Sequence, residues 1–147
     1  MTNARNRIHV MHGVNLDQIG RRDPRHYGAM TFLQLEQTID GFAGELGLDA
    51  RFFQTNHEGA YVEELHGASD YADGLLLNPG AWTHYAWALR DAVEIAGLPA
   101  VEVHLSDVKA RESFRGVSVL SDVCVATISG RGVDGYRDAL AELGKAL

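Results

Sequence analysis

Five short, mostly apolar runs divide this chain, and each ends in small polar residues. Ile8 to Met11 leads into His12, Gly13 and Asn15. Ala50 to Phe53 leads into Thr55, Asn56 and His57. Leu75 to Leu77 leads into Asn78, Pro79 and Gly80, and Val101 to Val103 into His104 and Ser106. Val123 to Ile128 leads into Ser129 and Gly130. Between the runs, apolar residues switch to helical spacing. Phe32, Leu35, Ile39, Phe42 and Leu46 form one stripe, with Thr31 and Gln34 placed for a capping box and Gly47 at the end. Tyr61, Val62 and Leu65 mark a second helix. A third is expected to start near Thr83 and carries Ala86, Leu89, Val93 and Ala96 before Gly97. A last one carries Val133, Tyr136, Leu140, Leu143 and Leu147. Such alternation implies right-handed βαβ units and a mainly parallel sheet. The expected fold is an α/β, flavodoxin-like three-layer sandwich with five parallel strands in the order 2-1-3-4-5. All five polar tips then share one sheet edge, where open α/β sheets bind ligands.

A chain of 147 residues predicts one domain over residues 1–147, large enough to bury a core. No apolar run is long enough to span a bilayer, so no membrane partner is expected. The first residues show no apolar signal core, and a cytoplasmic location is expected. The net charge of −7 disfavours nucleic acid, which needs a basic surface. It also means that an acidic ligand must be held by local cations. Arg21, Arg22 and Arg25 form one cluster after the first strand, and Arg111 and Arg115 another after the fourth. Isolated surface arginines are usually just solvated, but two clusters beyond strand tips favour a binding role. Two segments break the alternation. Asp17 to Met30 reads as a lid bracketed by Gly20 and Gly28, with Tyr27 near its end, and Ser106 to Asp122 as a polar loop with a helical turn.

Several chemistries find little support. Gly130-Arg131-Gly132-Val133-Asp134-Gly135 spells a dinucleotide fingerprint. It follows the last strand, however, and no strand or ribose-binding acid comes after it. A tight turn with close helix–sheet packing is the better reading. His57, His84 and His104 lack paired metal-ligand spacing, so no metal is expected. No Gly-x-Ser-x-Gly elbow exists. Lys109 and Lys145 lie in polar or terminal settings unsuited to imine formation. Cys124 is the only cysteine and sits in an apolar run, which suits an inert thiol. Acid–base chemistry remains. Glu102 and His104 are two apart at a strand end, so they share a face. A carboxylate beside an imidazole fixes its tautomer and favours its charged form, which suits a general acid. Residue type alone leaves open a histidine that only bonds a loop. Asn78-Pro79-Gly80 reads as a turn, or as an amide aimed at a ligand from a rigid support.

Taken in order, these motifs resemble the type II 3-dehydroquinate dehydratases. The resemblance rests on Asn15-Leu16, Gly20-Arg21-Arg22-Asp23-Pro24, Tyr27-Gly28 and Asn56-His57-Glu58-Gly59. It continues through Asn78-Pro79-Gly80-Ala81, Thr83-His84, Ala88-Leu89-Arg90-Asp91 and Glu102-Val103-His104-Leu105-Ser106, to Ala110-Arg111-Glu112, Phe114-Arg115 and Gly135-Tyr136. It covers residues from about Ile8 to Leu143. It implies a cofactor-free dehydration of 3-dehydroquinate to 3-dehydroshikimate in the shikimate or quinate pathway. By the same resemblance Tyr27 is the base, Arg22 favours its anion, and Asn15 holds a water on the enolate oxygen. His104 is the general acid, with Glu102 behind it. Asn78 and the amides of Leu105 and Ser106 take the carboxylate, and His84 and Arg115 the ring hydroxyls. Asp91 reaches a neighbouring subunit, since the family builds dodecamers from trimers. The chain departs from the family pattern where His12-Gly13-Val14-Asn15 replaces Asn-Gly-Pro-Asn, and loss of the proline is expected to loosen the turn that aims Asn15. Asp107, Lys109 and Arg131 are further departures. The competing readings are a paralogue acting on or binding a related quinate-like acid, and a non-catalytic flavodoxin-like binder.

Overall fold

The computed structural model describes residues 5–147. Five strands, β1 (Arg7–His12), β2 (Asp49–Gln54), β3 (Gly74–Asn78), β4 (Ala100–Val103) and β5 (Ala126–Ile128), form one sheet in the order β2-β1-β3-β4-β5. Every pairing is parallel. Five α-helices connect or flank them: α1 (Pro24–Tyr27), α2 (Phe32–Glu45), α3 (Glu58–Gly67), α4 (Trp87–Ala96) and α5 (Asp134–Ala146). This is the expected flavodoxin-like order. No helix among the described residues is long and apolar enough to cross a membrane.

Strand alternation sends successive side chains to opposite faces. Ile8, Val10, Leu76, Val101 and Val103 pack with Leu35 and Ile39 of α2 and with Tyr136, Leu140 and Leu143 of α5. Met11, Leu75 and Leu77 pack on the other side with Tyr61 and Leu65 of α3 and with Leu89 and Val93 of α4. The central strand β3 is buried along its whole length, as expected for a parallel sheet covered on both faces. Polar residues that end these strands inherit the same alternation. Asn78 and His12 therefore face α5, while Glu102 faces the α3/α4 side.

Three boundaries differ from the sequence expectation. The capping box of Thr31 and Gln34 forms at α2, but α4 starts at Trp87, not near Thr83. The Thr83 hydroxyl donates to Glu102 instead of capping a helix, and residues Gly80–His84 make a 3-10 turn. The last strand is shorter than the apolar run Val123 to Ile128, because Ser121–Val123 form another 3-10 turn. Cys124 follows that turn, and burial pushes its thiol up to about 12, as suits an inert group. The segment from Asp17 to Met30 is not an open loop. Leu16–Arg21 form a 3-10 turn whose Leu16 and Ile19 are buried in the core. Only residues beyond Ile19, including α1, remain outside that anchor.

His12 closes β1 with no exposed surface. Burial holds its imidazole down at about 3, whereas an unfolded histidine ionises near 6.5. Between those values the unfolded chain binds a proton that the folded chain refuses. The folded state is therefore penalised as pH falls from about 6.5 towards 3, by up to ~1.4 kcal/mol per pH unit. Urea unfolding of wild type and His12→Asn should show wild type losing stability relative to the variant across that window. A difference independent of pH would contradict the buried neutral imidazole.

Candidate active site

The sheet's carboxyl edge opens into a small cavity of about 130 Å³. Asn15, Arg22, Tyr27, Asn78, His84, His104, Leu105, Ser106 and Arg115 all line it. The sequence and its family resemblance together single out each of these. Glu102 stands behind His104 and outside this lining. Asp91 lies exposed on α4 and is not brought to the cavity of its own chain. Among the described residues, no group of three His, Cys, Asp or Glu side chains could hold a metal ion.

Asn15 follows β1 in a left-handed conformation, φ 67°, which asparagine tolerates better than most residues. The turn is held without the expected proline. The Asn56 side chain accepts from the Asn15 N–H at 2.8 Å, and Gln54 donates to the Gly13 carbonyl at 3.2 Å. The Gly13 N–H donates to the Asn78 carbonyl at 2.8 Å. Two glycines let this turn and the turn after β3 touch. A Cβ on Gly13 would lie 2.3 Å from the Pro79 carbonyl oxygen. One on Gly80, at φ +65°, would lie 2.6 Å from that of Val14. The turn that carries Val14 in place of proline is thus held by neighbours on both sides.

The carboxylate–imidazole pair is also built from buried bonds. Glu102 is fully buried. Its carboxylate accepts from His104 Nε2 at 2.5 Å, from Ser118 at 2.7 Å and from Thr83. Burial alone would raise its ionisation, but His104, Thr83 and Ser118 outweigh burial and hold it below the usual carboxylate range. The Nδ1 of His104 has no protein partner among the described residues. The His84 ring stacks on it, 6.5 Å between centroids and 17° between planes. His84 Nδ1 donates to the Val117 carbonyl at 2.7 Å, which leaves its Nε2 as an acceptor. Burial, helped by the neighbouring His104 and Arg115, pushes His84 below the ordinary imidazole range.

Tyr27 ends α1, where Asp23 caps the helix by accepting from the Arg25 N–H. Two guanidinium groups meet it. Arg22 lies over the ring at 4.0 Å. Arg111 Nη1 donates to the phenol oxygen at 2.7 Å and to the Ser106 hydroxyl at 3.3 Å. Arg22 therefore touches the ring, while Arg111 touches the oxygen. In the sequence Arg111 stands out as part of a cationic cluster beyond β4 and of the Ala110-Arg111-Glu112 motif, with no role assigned to it. Its spacing carried no sign that it would reach a phenol 84 residues away.

Past β4, the carbonyls of Leu105 and Ser106 accept from the N–H groups of Gly132 and Gly130, at 3.1 and 3.0 Å. The N–H groups of Leu105 and Ser106 have no protein acceptor among the described residues. The glycine-rich turn thus pins this peptide from one side and leaves two donors beside the cavity, as an anion site requires. Gly135, in the first turn of α5, lies against the sheet, where a Cβ would make ordinary contacts with Ile128 and Val103.

The contact between the two turns predicts a local cost. In urea unfolding, Gly13→Ala should lower stability by about 1–3 kcal/mol, since backbone must move to admit a methyl group. Gly59→Ala, on the exposed face of α3 with open space around it, should instead raise stability by up to about 1 kcal/mol. A neutral Gly13→Ala would mean that the clamp on Asn15 is loose.

Comparison with known proteins is consistent with this site. The family model for dehydroquinase class II matches residues 6–144. A 3-dehydroquinate dehydratase of Pelotomaculum thermopropionicum is 47% identical over 134 residues, covering 91% of this chain and 93% of that protein. One from Leptothrix cholodnii is 45% identical over 130 residues, covering 88% and 87%. Among solved structures, a type II dehydroquinase from Butyrivibrio crossotus superimposes with a TM-score of 0.90 at 36% identity, covering 95% of this chain and 97% of that one. The polar sheet edge, the buried carboxylate–imidazole pair and these alignments along nearly the whole chain place it in one family: the chain belongs to the class II dehydroquinases.

Proposed function

We propose that this chain is a hydro-lyase that removes water from 3-dehydroquinate to give 3-dehydroshikimate, with no metal or organic cofactor. Tyr27, as its phenolate, takes the proton from C2 beside the ketone. The electron pair moves onto the ketone oxygen, and Asn15 holds a water that donates to the resulting enolate. Collapse of the enolate forms the C1–C2 double bond and expels the C1 hydroxyl, which His104 protonates so that it leaves as water. Glu102 steadies the imidazolium form of His104. Asn78 and the N–H groups of Leu105 and Ser106 bind the carboxylate, and His84 and Arg115 the ring hydroxyls.

The observation that carries this reading is the pair of guanidinium groups on Tyr27. The anion of a phenol is a far stronger base than the phenol, and cations beside it favour the anion. Removing water from the site opposes ionisation, so a second cation helps. The roles given to Arg22 and Arg111 divide accordingly: Arg22 faces the ring, and Arg111 donates to the oxygen where negative charge would sit. Stabilising the developing enolate is the largest expected contribution to rate.

The reading extends to the assembly. The chain works as a single catalytic domain, Asp91 completes the site of a neighbouring subunit, and four trimers assemble into a dodecamer in the cytoplasm. Exposed Asp91, outside the cavity of its own chain, supports this arrangement. The product enters aromatic biosynthesis or arises in quinate breakdown.

Formation of the conjugated enone, followed by its ultraviolet absorbance, tests the activity. Wild type should convert 3-dehydroquinate, and Tyr27→Phe should lower kcat by at least about a hundredfold. Arg111→Ala should lower it by ten- to a hundredfold, about one charge-assisted hydrogen bond. Absence of product with wild type would overturn the assignment, and normal turnover in Tyr27→Phe would remove the base.

A further inference from the structure

We infer that His12 is a positioning residue: carrying its proton on Nδ1, it accepts from the Tyr136 hydroxyl and so fixes which way the Asn78 amide faces the cavity. The inference rests on the carboxylate-binding role proposed for Asn78 as far as catalysis is concerned. The tautomer itself does not depend on that role.

Three side chains form an unbranched chain of hydrogen bonds behind the site. His12 Nε2 lies 2.9 Å from the Tyr136 hydroxyl, and Asn78 Nδ2 lies 2.8 Å from the same oxygen. Asn78 Oδ1 accepts from the Gly80 N–H at 3.3 Å. His12 and Tyr136 are wholly buried and Asn78 is 3% exposed, so bulk water does not settle their directions.

The hydroxyl has one proton to give, and that decides the tautomer. With the proton of His12 on Nε2, both His12 and Asn78 would donate to the Tyr136 oxygen. The hydroxyl proton would then lack an acceptor, and Nδ1, which has no partner, would be an unused acceptor as well. Turning the amide over would give the hydroxyl an acceptor but set the Asn78 NH2 against the Gly80 N–H, donor to donor. With the proton on Nδ1, all three bonds run in one direction. Gly80 and Tyr136 then hold the two ends of the amide, and only the Nδ1–H is left over, near the perpendicular ring of Phe32 at 5.1 Å between centroids. Fewest buried groups go unpaired in this arrangement. Burial, which keeps the imidazole neutral, removes the remaining alternative of a doubly protonated ring. The second N–H of Asn78 has no protein acceptor among the described residues and belongs to a side chain lining the cavity. It is the donor that a ligand carboxylate meets.

Nitrogen-15 NMR of the imidazoles in the ligand-free wild-type protein, with the His12 signals assigned by their loss in His12→Asn, reads the tautomer directly. At neutral pH, His12 Nε2 should show the shift of an unprotonated ring nitrogen, and a proton on Nε2 would overturn the inference. Steady-state kinetics with 3-dehydroquinate then tests the consequence in His12→Phe, Tyr136→Phe and the double variant. In His12→Phe the hydroxyl loses its acceptor and competes for Asn78 Oδ1, so KM should rise about tenfold with kcat within about threefold. In His12→Phe/Tyr136→Phe the competing hydroxyl is gone, and KM should fall back to within about threefold of Tyr136→Phe alone. A merely structural role would make the double variant at least as impaired as His12→Phe, and that result would also overturn the inference. Lack of turnover in wild type would count against the dehydratase reading, while the tautomer measurement would still decide the role of His12.

Discussion

One hydrogen bond ties the separate parts of this site together: the donation from Arg111 to the oxygen of Tyr27. It joins the segment after β1 to the segment after β4, across 84 residues of sequence. Neither partner belongs to the sheet. Tyr27 rides on a single short turn of helix, and Arg111 sits just past a 3-10 turn. The phenol is therefore placed by a contact between two surface segments, and the same contact puts a positive charge beside it. Positioning and electrostatics come from one guanidinium. Arg22, lying over the ring, adds a second charge without taking the oxygen's hydrogen-bonding position.

The imidazole on the other side is supported in the opposite way. His104 sits at the end of β4, and its partner Glu102 is a wholly buried carboxylate one strand alternation earlier. A buried charge of this kind is tolerated only when its lone pairs are filled, and Thr83, Ser118 and His104 fill them. Thr83, whose hydroxyl donates to Glu102, lies in a 3-10 turn, and α4 starts only at Trp87. A rigid imidazole at the sheet edge faces a phenol carried outside the sheet, and Leu16 and Ile19 anchor the start of the phenol's segment in the core.

The parallel sheet, its strand order and the helices were legible because they follow from local pattern. Apolar runs such as Leu75 to Leu77 have no helical alternative at that length, and the stripe from Phe32 to Leu46 has no strand alternative. Asn15, Asn78, His104 and Ser106 were legible for a related reason, since parallel strands gather their tips at one edge, whereas the roles of Arg22, Tyr27, His84, Leu105 and Arg115 came only from the family resemblance. What failed to show were features set by distant partners. Thr83 looks like a helix start until Glu102 is placed beside it. Val14 looks like a loosened turn until Asn56 and Gln54 are seen to hold that turn. Arg111 could not be told from Arg115 as the neighbour of Tyr27, because nothing in the spacing of a polar loop says which side chain reaches across the site. His12 looked like a strand-end substitution, and its bond to Tyr136 depends on α5 lying over the sheet.

The central claim is a division of labour: Tyr27 breaks the C2–H bond and His104 acts only when the hydroxyl leaves. Hydrogen exchange at C2 of 3-dehydroquinate, followed by NMR in deuterium oxide, separates the two steps. The account predicts that His104→Ala still exchanges this hydrogen with solvent while forming no enone, and that Tyr27→Phe does neither. Exchange by Tyr27→Phe, or its complete loss together with dehydration in His104→Ala, would contradict it.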